Sequence, residues 1–195
     1  MSLQNTEYLI TKSFKILKEM LEDRKIDITN LNSITDNELI NLYNENQIFD
    51  IRVNSKLKVI YYMPNKIKIQ NIKTFVDEDN DKDIIFISKE KLTTNNHKSF
   101  LEFKEKNINF QFFHINELLF NIYKHKFVPK HEVITDTNEI NNIKKRYLLK
   151  NLYQLPLILS SDPVCKYLNI KVNSVVKITR SSPTAGEYIL YRYVV

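Results

Sequence analysis

Between residues 7 and 24 the apolar side chains Ile10, Phe14, Leu17 and Leu21 recur at spacings of four and three. That spacing places them on one stripe of an amphipathic helix. Thr35 stands three residues before Glu38, the separation of a capping box, so a second helix is predicted over 36–46. The period then changes. Residues 48–53 and 57–63 are dense in β-branched and aromatic side chains and read as strands, the second closed by Pro64. The stretch 68–77 fits helix or strand by periodicity and is assigned to helix. An acidic loop at 77–83 leads to a strand at 84–88, a helix near 96–106 and a strand at 108–113. Strand, helix and strand in alternation predict an α/β layer.

The character changes near 120–130. A helical stretch at 116–123 gives way to the extended HKFVPKHEVI, in which Pro129 biases Val128 away from helix. The domain boundary is set there, between 122 and 123. Beyond it, a helix over 136–149 carries Lys144, Lys145 and Arg146 near its C-terminal end, where cations complement the helix dipole. Asp162-Pro163 reads as a helix start, an aspartate cap followed by proline at the first helical position. That helix should stop at Asn169, which tolerates the left-handed conformation. Strands at 175–180 and 187–194 are joined by SSPTAG.

Composition sharpens the picture at a few points. The chain of 195 residues is 43% hydrophobic and 27% charged, enough for a real core. No apolar run approaches the roughly 20 residues that cross a bilayer. Residues 1–7 lack the basic-then-apolar pattern of a signal peptide. A single cysteine, Cys165, forms no internal disulfide, which points to a reducing, intracellular compartment. Glycine is nearly absent: Gly186 stands alone where an average chain has about 7%. Left-handed turns must therefore fall to asparagine. The abundance of Asn, Ile and Lys fits AT-rich coding, cellular or from a large DNA virus. Residues 121–195 carry +7 and residues 1–120 carry −1, which together make the net charge of +6. A basic surface attracts nucleic acid or an acidic protein, and charge alone does not choose.

Several chemistries are disfavoured. A phosphate-cradling loop needs more than one glycine. His97, His114, His125 and His131 show no metal-ligand spacing with Cys165 or with each other. Cys165 reads as buried filler, with no activating neighbour marked in the sequence. Asp50 on a strand, with the triplet Glu102-Phe103-Lys104, loosely resembles the carboxylates and lysine of metal-dependent nucleases. The triplet falls on a predicted helix far from Asp50, and ordinary surface charge is the preferred reading. No catalytic, metal or cofactor site and no small-molecule substrate are expected.

Four consecutive stretches carry a family likeness: ELLFNIYKHKFVPKH (117–131), KKRYLLKNLYQLPLI (144–158), SDPVCKYLNIKVNSVVKITR (161–180) and SPTAGEYILYRYVV (182–195). They resemble the fifth subunit shared among eukaryotic DNA-directed RNA polymerases, whose C-terminal part corresponds to a small subunit of the archaeal RNA polymerase. More weakly, KVIYYMPNKIKIQNIKTFV (58–76) and IIFISKEKLTTNNHKSFLEF (84–103) resemble the family's N-terminal half. Where the family has glycine in two turns, this chain has Asn169 and Asn173. Where it has a TPSA loop near DNA, this chain has Thr94, Asn95, Asn96 and His97.

The resemblance implies a non-catalytic polymerase subunit in two α+β domains. Residues 1–122 would be an α/β jaw similar in fold to nucleases, set beside downstream duplex DNA. Residues 123–195 would be a small α+β assembly domain docked on the largest polymerase subunit, near other subunits. The partner-binding candidates are His125, Val128, Pro129, His131, Arg146, Tyr147, Leu155, Pro156, Asp162, Pro163, Arg180, Thr184, Gly186, Tyr188 and Arg192. Guanidinium forks suit partner carboxylates, and the proline pairs supply rigid apolar chain. Lys89, Lys91 and Lys98 are the candidates for weak, non-specific phosphate contact. A second basic stretch, with six cations and no acid, runs from Arg52 to Lys73. The resemblance also implies work in the nucleus for a cellular chain, or in the virion or host cytoplasm for a viral one. A nuclease and a free-standing DNA-binding protein are the alternatives.

Overall fold

The computed structural model describes residues 3–68, 76, 82–93, 108–182 and 186–195. The chain divides into two compact units, Met1–Phe120 and Asn121–Val195. Each encloses its own sheet, and together they make an α+β architecture.

Unit 1 opens with helix α1 (Leu3–Asp23). Ile10, Phe14, Leu17 and Leu21, the predicted stripe, are all buried. The helix ends in a Schellman turn: Ile26 N–H bonds Leu21 O, and Lys25 N–H bonds Glu22 O. Lys25 holds the left-handed position at φ 60°, where glycine is usual. A short helix, α2 (Thr29–Asn32), which the sequence did not announce, precedes α3 (Asp36–Glu45). The capping box of α3 is formed in both directions. Thr35 N–H donates to Glu38 Oε2 at 2.7 Å, and Glu38 N–H donates to Thr35 Oγ1 at 3.3 Å.

These bonds hold the Glu38 carboxyl below the usual carboxylate range, backbone donation being the larger cause. A depressed folded pKa contributes stability above the unfolded pKa and loses it as pH falls through the folded value. Thr35→Ala is expected to cost about 1 kcal/mol at neutral pH. Because alanine keeps the backbone N–H that is the larger cause, only the smaller share of the penalty, that of the hydroxyl bond to Glu38 Oε2, should fade in acid. Urea denaturation at the two pH values checks both statements.

The sheet of unit 1 has the order β1 (Ile48–Arg52), β2 (Leu57–Tyr62), β3 (Asp83–Ser88), β4 (Asn109–His114). β1 and β2 are antiparallel, while β2, β3 and β4 run parallel. Every residue of β2 is buried, the mark of a strand covered on both faces. On one face Tyr61 stacks on Phe49 at 5.0 Å, and its hydroxyl meets Ser13 Oγ of α1 at 3.3 Å. On the other face Ile60, Tyr62, Ile84, Phe86 and Ile108 form a core. The parallel pairs need crossover connections. The helix predicted at 96–106, most of that at 68–77 and most of the acidic loop lie outside the described residues; residues 68 and 76, which are described, are in neither helix nor strand.

The helix expected over 116–123 is reduced to a 3-10 turn, Ile115–Leu118. His114 Nδ1 caps that turn by accepting from Asn116 N–H, and beyond it Asn121 Oδ1 accepts from Lys124 N–H.

Unit 2 has the sheet order β5 (Lys130–Ile134), β7 (Val175–Ser182), β8 (Gly186–Val194), β6 (Leu157–Ile158). β7 is antiparallel to both β5 and β8; β6 is parallel to β8. One face packs under α4 (Thr137–Arg146), the other under α5 (Pro163–Tyr167). Asp136 caps α4, its carboxylate accepting from Asn138 N–H. The helix stops at Arg146, three residues before the expected end at 149. Leu148 turns left-handed at φ 53°, and Leu149 N–H returns to Lys144 O at 2.8 Å. Asp162 caps α5 with Pro163 in its first turn, and the helix is closed through Asn169 at φ 53°. Asn173 is also left-handed, at φ 71°. Both glycine-to-asparagine turns are therefore kept. Gly186, at φ 70°, has open space around the position of a Cβ, so its demand is conformational and not steric. The strands on either side of the hairpin run to Ser182 and from Gly186, further than expected.

Candidate partner-binding surface

Strand alternation sets which β7 and β8 side chains share a face. Ile178, Arg180, Tyr188 and Arg192 fall together, because Arg180 is opposite Tyr188 and Val176 opposite Arg192. Beside them stand the start of α5 and the chain that enters β5. The result is a groove of about 400 Å³ lined by Val128, Pro129, His131, Asp162, Pro163, Arg180 and Arg192 among others. Its members differ in how far they are committed. His131 is buried, with Nδ1 2.7 Å from Pro129 O. The carbonyl only accepts, so that nitrogen carries the proton. Asp162 spends one oxygen on the cap of α5, at 2.9 Å from Val164 N. Arg192 donates from Nη1 to Leu157 O at 2.8 Å, tying β8 to β6. Arg180 is exposed, and among the described residues no carboxylate pairs with it.

A second groove, of about 560 Å³, collects Arg146, Tyr147, Leu155, Pro156 and Tyr188 beside Ile189 and Tyr191. The Arg146 guanidinium lies 5.8 Å from the Tyr147 ring centroid, and that ring meets Tyr191 edge-on at 6.0 Å. Leu155 is buried among Ile134, Ile143 and Val175, so its side chain serves the core as well as the groove wall. Pro156 is exposed.

The remaining candidates lie apart. His125 is exposed on a turn, its Nδ1 accepting from Phe127 N–H and its ring 5.8 Å from that of Phe127. Gly186 is at the hairpin, and Thr184 lies outside the described residues. Sequence reading missed Phe127, 84% exposed, and Leu148, 90% exposed. Phe127 was readable as an aromatic in a proline-stiffened stretch. Leu148 was not, because nothing marks a leucine as a left-handed corner.

Cys165 is fully buried beneath the sheet. Burial, with the Asp162 carboxylate adding to it, pushes the thiol up to about 11. It is protonated at neutral pH and a poor nucleophile.

In unit 1, Lys89 follows β3 and is half-buried, whereas Lys91 is exposed. Lys98 lies outside the described residues, as does the triplet Glu102-Phe103-Lys104. Asp50 makes an ion pair with Lys58 at 3.7 Å. Lys58 is buried, so the basic stretch from Arg52 is not wholly a solvated face. Among the described residues no three His, Cys, Asp or Glu side chains gather as a metal site, and no helix is long and apolar enough to cross a membrane.

Comparison with known proteins agrees with this layout. Residues 120–194 match the family model for the RNA polymerase Rpb5 C-terminal domain. Over 185 residues the chain is 32% identical to the DNA-directed RNA polymerases I, II, and III subunit rpabc1 of Dictyostelium discoideum, covering 91% of this chain and 93% of that protein. It is 49% identical over 71 residues to the DNA-directed RNA polymerase subunit Rpo5 of Nitrosopumilus maritimus, covering 36% of this chain and 83% of that one. With Rpo5 of Methanosarcina mazei it shares 43% over 76 residues, 39% of this chain and 95% of the other. The archaeal likeness thus lies within a stretch the length of unit 2, while the Dictyostelium likeness spans nearly everything, and the chain belongs to the Rpb5 family of shared fifth subunits of RNA polymerases.

Proposed function

We propose that this chain is a non-catalytic subunit of a multisubunit DNA-dependent RNA polymerase and serves transcription. Residues 123–195 dock on the largest subunit. Residues 1–122 form a jaw, nuclease-like in fold, that flanks downstream duplex DNA. The chain works where its polymerase works: the nucleus of a cell, or the virion or host cytoplasm for a virus. The observation that carries the reading is the gathering of Arg180 and Arg192 in one groove and Arg146 in another, on the unit that holds the net positive charge. Guanidiniums beside rigid apolar walls suit a partner with carboxylates. The naming of the relatives as polymerase subunits supports the same reading.

Native pull-down of the tagged chain, followed by mass spectrometry, tests it. The two largest polymerase subunits should be recovered in near-equal amounts. Recovery of the chain alone at low salt would remove the reading. Metal-dependent DNA cleavage abolished by Asp50→Ala would instead favour a nuclease, although the Asp50–Lys58 pair already gives that carboxylate a structural use. Tight DNA binding by the isolated chain near physiological salt would favour a free-standing DNA-binding protein.

The jaw assignment rests on Lys89, Lys91 and Lys98 as phosphate contacts. Of the described two, Lys91 is the exposed one. Lys91→Glu should reduce crosslinking to downstream DNA several-fold and leave incorporation unchanged. Unchanged crosslinking would take Lys91 off the DNA side.

A further inference from the structure

The two edges of β8 are unequal. β7 pairs with it from Gly186 to Tyr193, whereas β6 reaches only Tyr193 and Val194. On the β6 side, Tyr193 N–H bonds Pro156 O at 3.0 Å, and Val195 N–H bonds Ile158 O at 2.9 Å. Successive residues of a strand point their backbone groups to opposite edges. With Tyr193 and Val195 facing β6, Glu187, Ile189 and Tyr191 must face the same edge further along. There, among the described residues, no strand pairs with them.

Just before β6 begins, the chain forms the 3-10 turn Leu152–Gln154 and, among the described residues, pairs with no strand. Gln154 Oε1 fixes that turn by accepting from Lys150 N–H and Asn151 N–H. The groove of about 560 Å³ lies beside residues 188–191 and reaches Gln154, Leu155 and Pro156, just ahead of β6. Tyr147, Leu155 and Pro156 wall it. Edge strands of solitary proteins are normally blunted by lysine, proline or a bulge. The run from Glu187 to Tyr191 contains no lysine or proline, its register with β7 is unbroken, and Tyr188 and Ile189 are 52% and 39% exposed.

We propose that this edge of β8 receives an extended segment of the polymerase partner as an added strand. The inference rests on the docking reading above and specifies its geometry. Backbone bonds to Glu187, Ile189 and Tyr191 supply affinity, and the apolar wall selects alternate side chains of the incoming strand. Arg146, which lines the same groove and has no carboxylate partner among the described residues, calls for an acidic residue in that segment. The basic charge of the unit favours such a partner over a second copy of this chain.

The test uses the full chain, free and assembled in its polymerase. Ile189→Pro deletes the N–H that faces the open edge and spares the β7 bonds, which belong to Tyr188, Leu190 and Arg192. The variant should keep its circular dichroism and lose at least tenfold in incorporation. Amide exchange on the unmutated chain gives a second readout, valid even where the proline variant misfolds. Ile189 and Tyr191 should exchange quickly when free and at least a hundredfold more slowly when assembled, with Leu190 and Arg192 slow in both. A folded Ile189→Pro variant that assembles normally overturns the proposal. So do Ile189 and Tyr191 amides that stay fast in the complex, or that are protected in the free chain in proportion to its concentration. An unmutated chain that enters no polymerase overturns the docking reading itself, and this inference with it.

Discussion

Phe86→Ala is expected to lower the melting of unit 1 and leave that of unit 2 unchanged. Phe86 is fully buried at the centre of β3, and the sheet register sets it between Ile60 and Phe112. The rings of Tyr62, Phe110 and Phe112 surround it at 5.6, 5.7 and 5.9 Å. A buried Phe→Ala change removes about 3–5 kcal/mol, because neighbours pinned in parallel strands collapse only partly into the cavity. A domain of this size has only about 5–15 kcal/mol in all. Calorimetry of the full chain should show one transition lowered by more than about 10 °C and another unmoved. The surface proposed for docking lies wholly in unit 2, so the variant should still enter polymerase at a temperature where unit 1 has melted. Two transitions falling together would show that the units do not stand independently.

Arg180→Glu should have the largest effect on assembly with the least on folding. Its guanidinium is exposed on β7, lines the first groove and meets no carboxylate among the described residues. Reversal therefore breaks no described ion pair within the chain. At an interface, a charge set against its own sign costs several kcal/mol, and loss of a desolvated pair costs about 2–5 kcal/mol. Incorporation should fall by at least tenfold, about 1.4 kcal/mol, in competition with the unmutated chain. Circular dichroism and melting should be unchanged. Arg192 is the less clean probe, since Arg192→Glu also removes the bond to Leu157 O that holds β6. Equal incorporation of Arg180→Glu and the unmutated chain would remove the first groove from the interface.

What could be read from sequence was what neighbours decide. The stripe of α1, the Thr35–Glu38 box, the Asp162-Pro163 start and the asparagine turns at Asn169 and Asn173 all depend on residues within one turn of each other. The errors came where a local competitor won or where pairing was long-range. The expected helix at 116–123 ends after the 3-10 turn Ile115–Leu118, which His114 caps, and Asn121 bonds Lys124 N–H beyond it. Leu148 ended α4 early although leucine favours helix. β6, only two residues long, exists because β8 offers it an edge, and no periodicity can be seen in two residues. The site divides in the same way. Its members were named through resemblance, but their sorting into two grooves is visible only in the fold: the β7–β8 register puts Arg180, Tyr188 and Arg192 on one face, yet Tyr188 lines the second groove and the two arginines the first. The open edge of β8 was invisible beforehand, since it consists of what β6 fails to cover.

The left-handed corners have a consequence for how this chain tolerates change. With one glycine in the sequence, three helix ends close through Lys25, Leu148 and Asn169. A side chain at such a corner keeps a steric penalty that glycine would relieve. The fold therefore operates below the stability its own backbone permits, and the shortfall is concentrated at known addresses. Lys25→Gly touches neither groove and is a ready source of stability for an experimenter. A background strengthened in this way could carry otherwise lethal changes elsewhere in unit 1, which would widen the range of substitutions open to study.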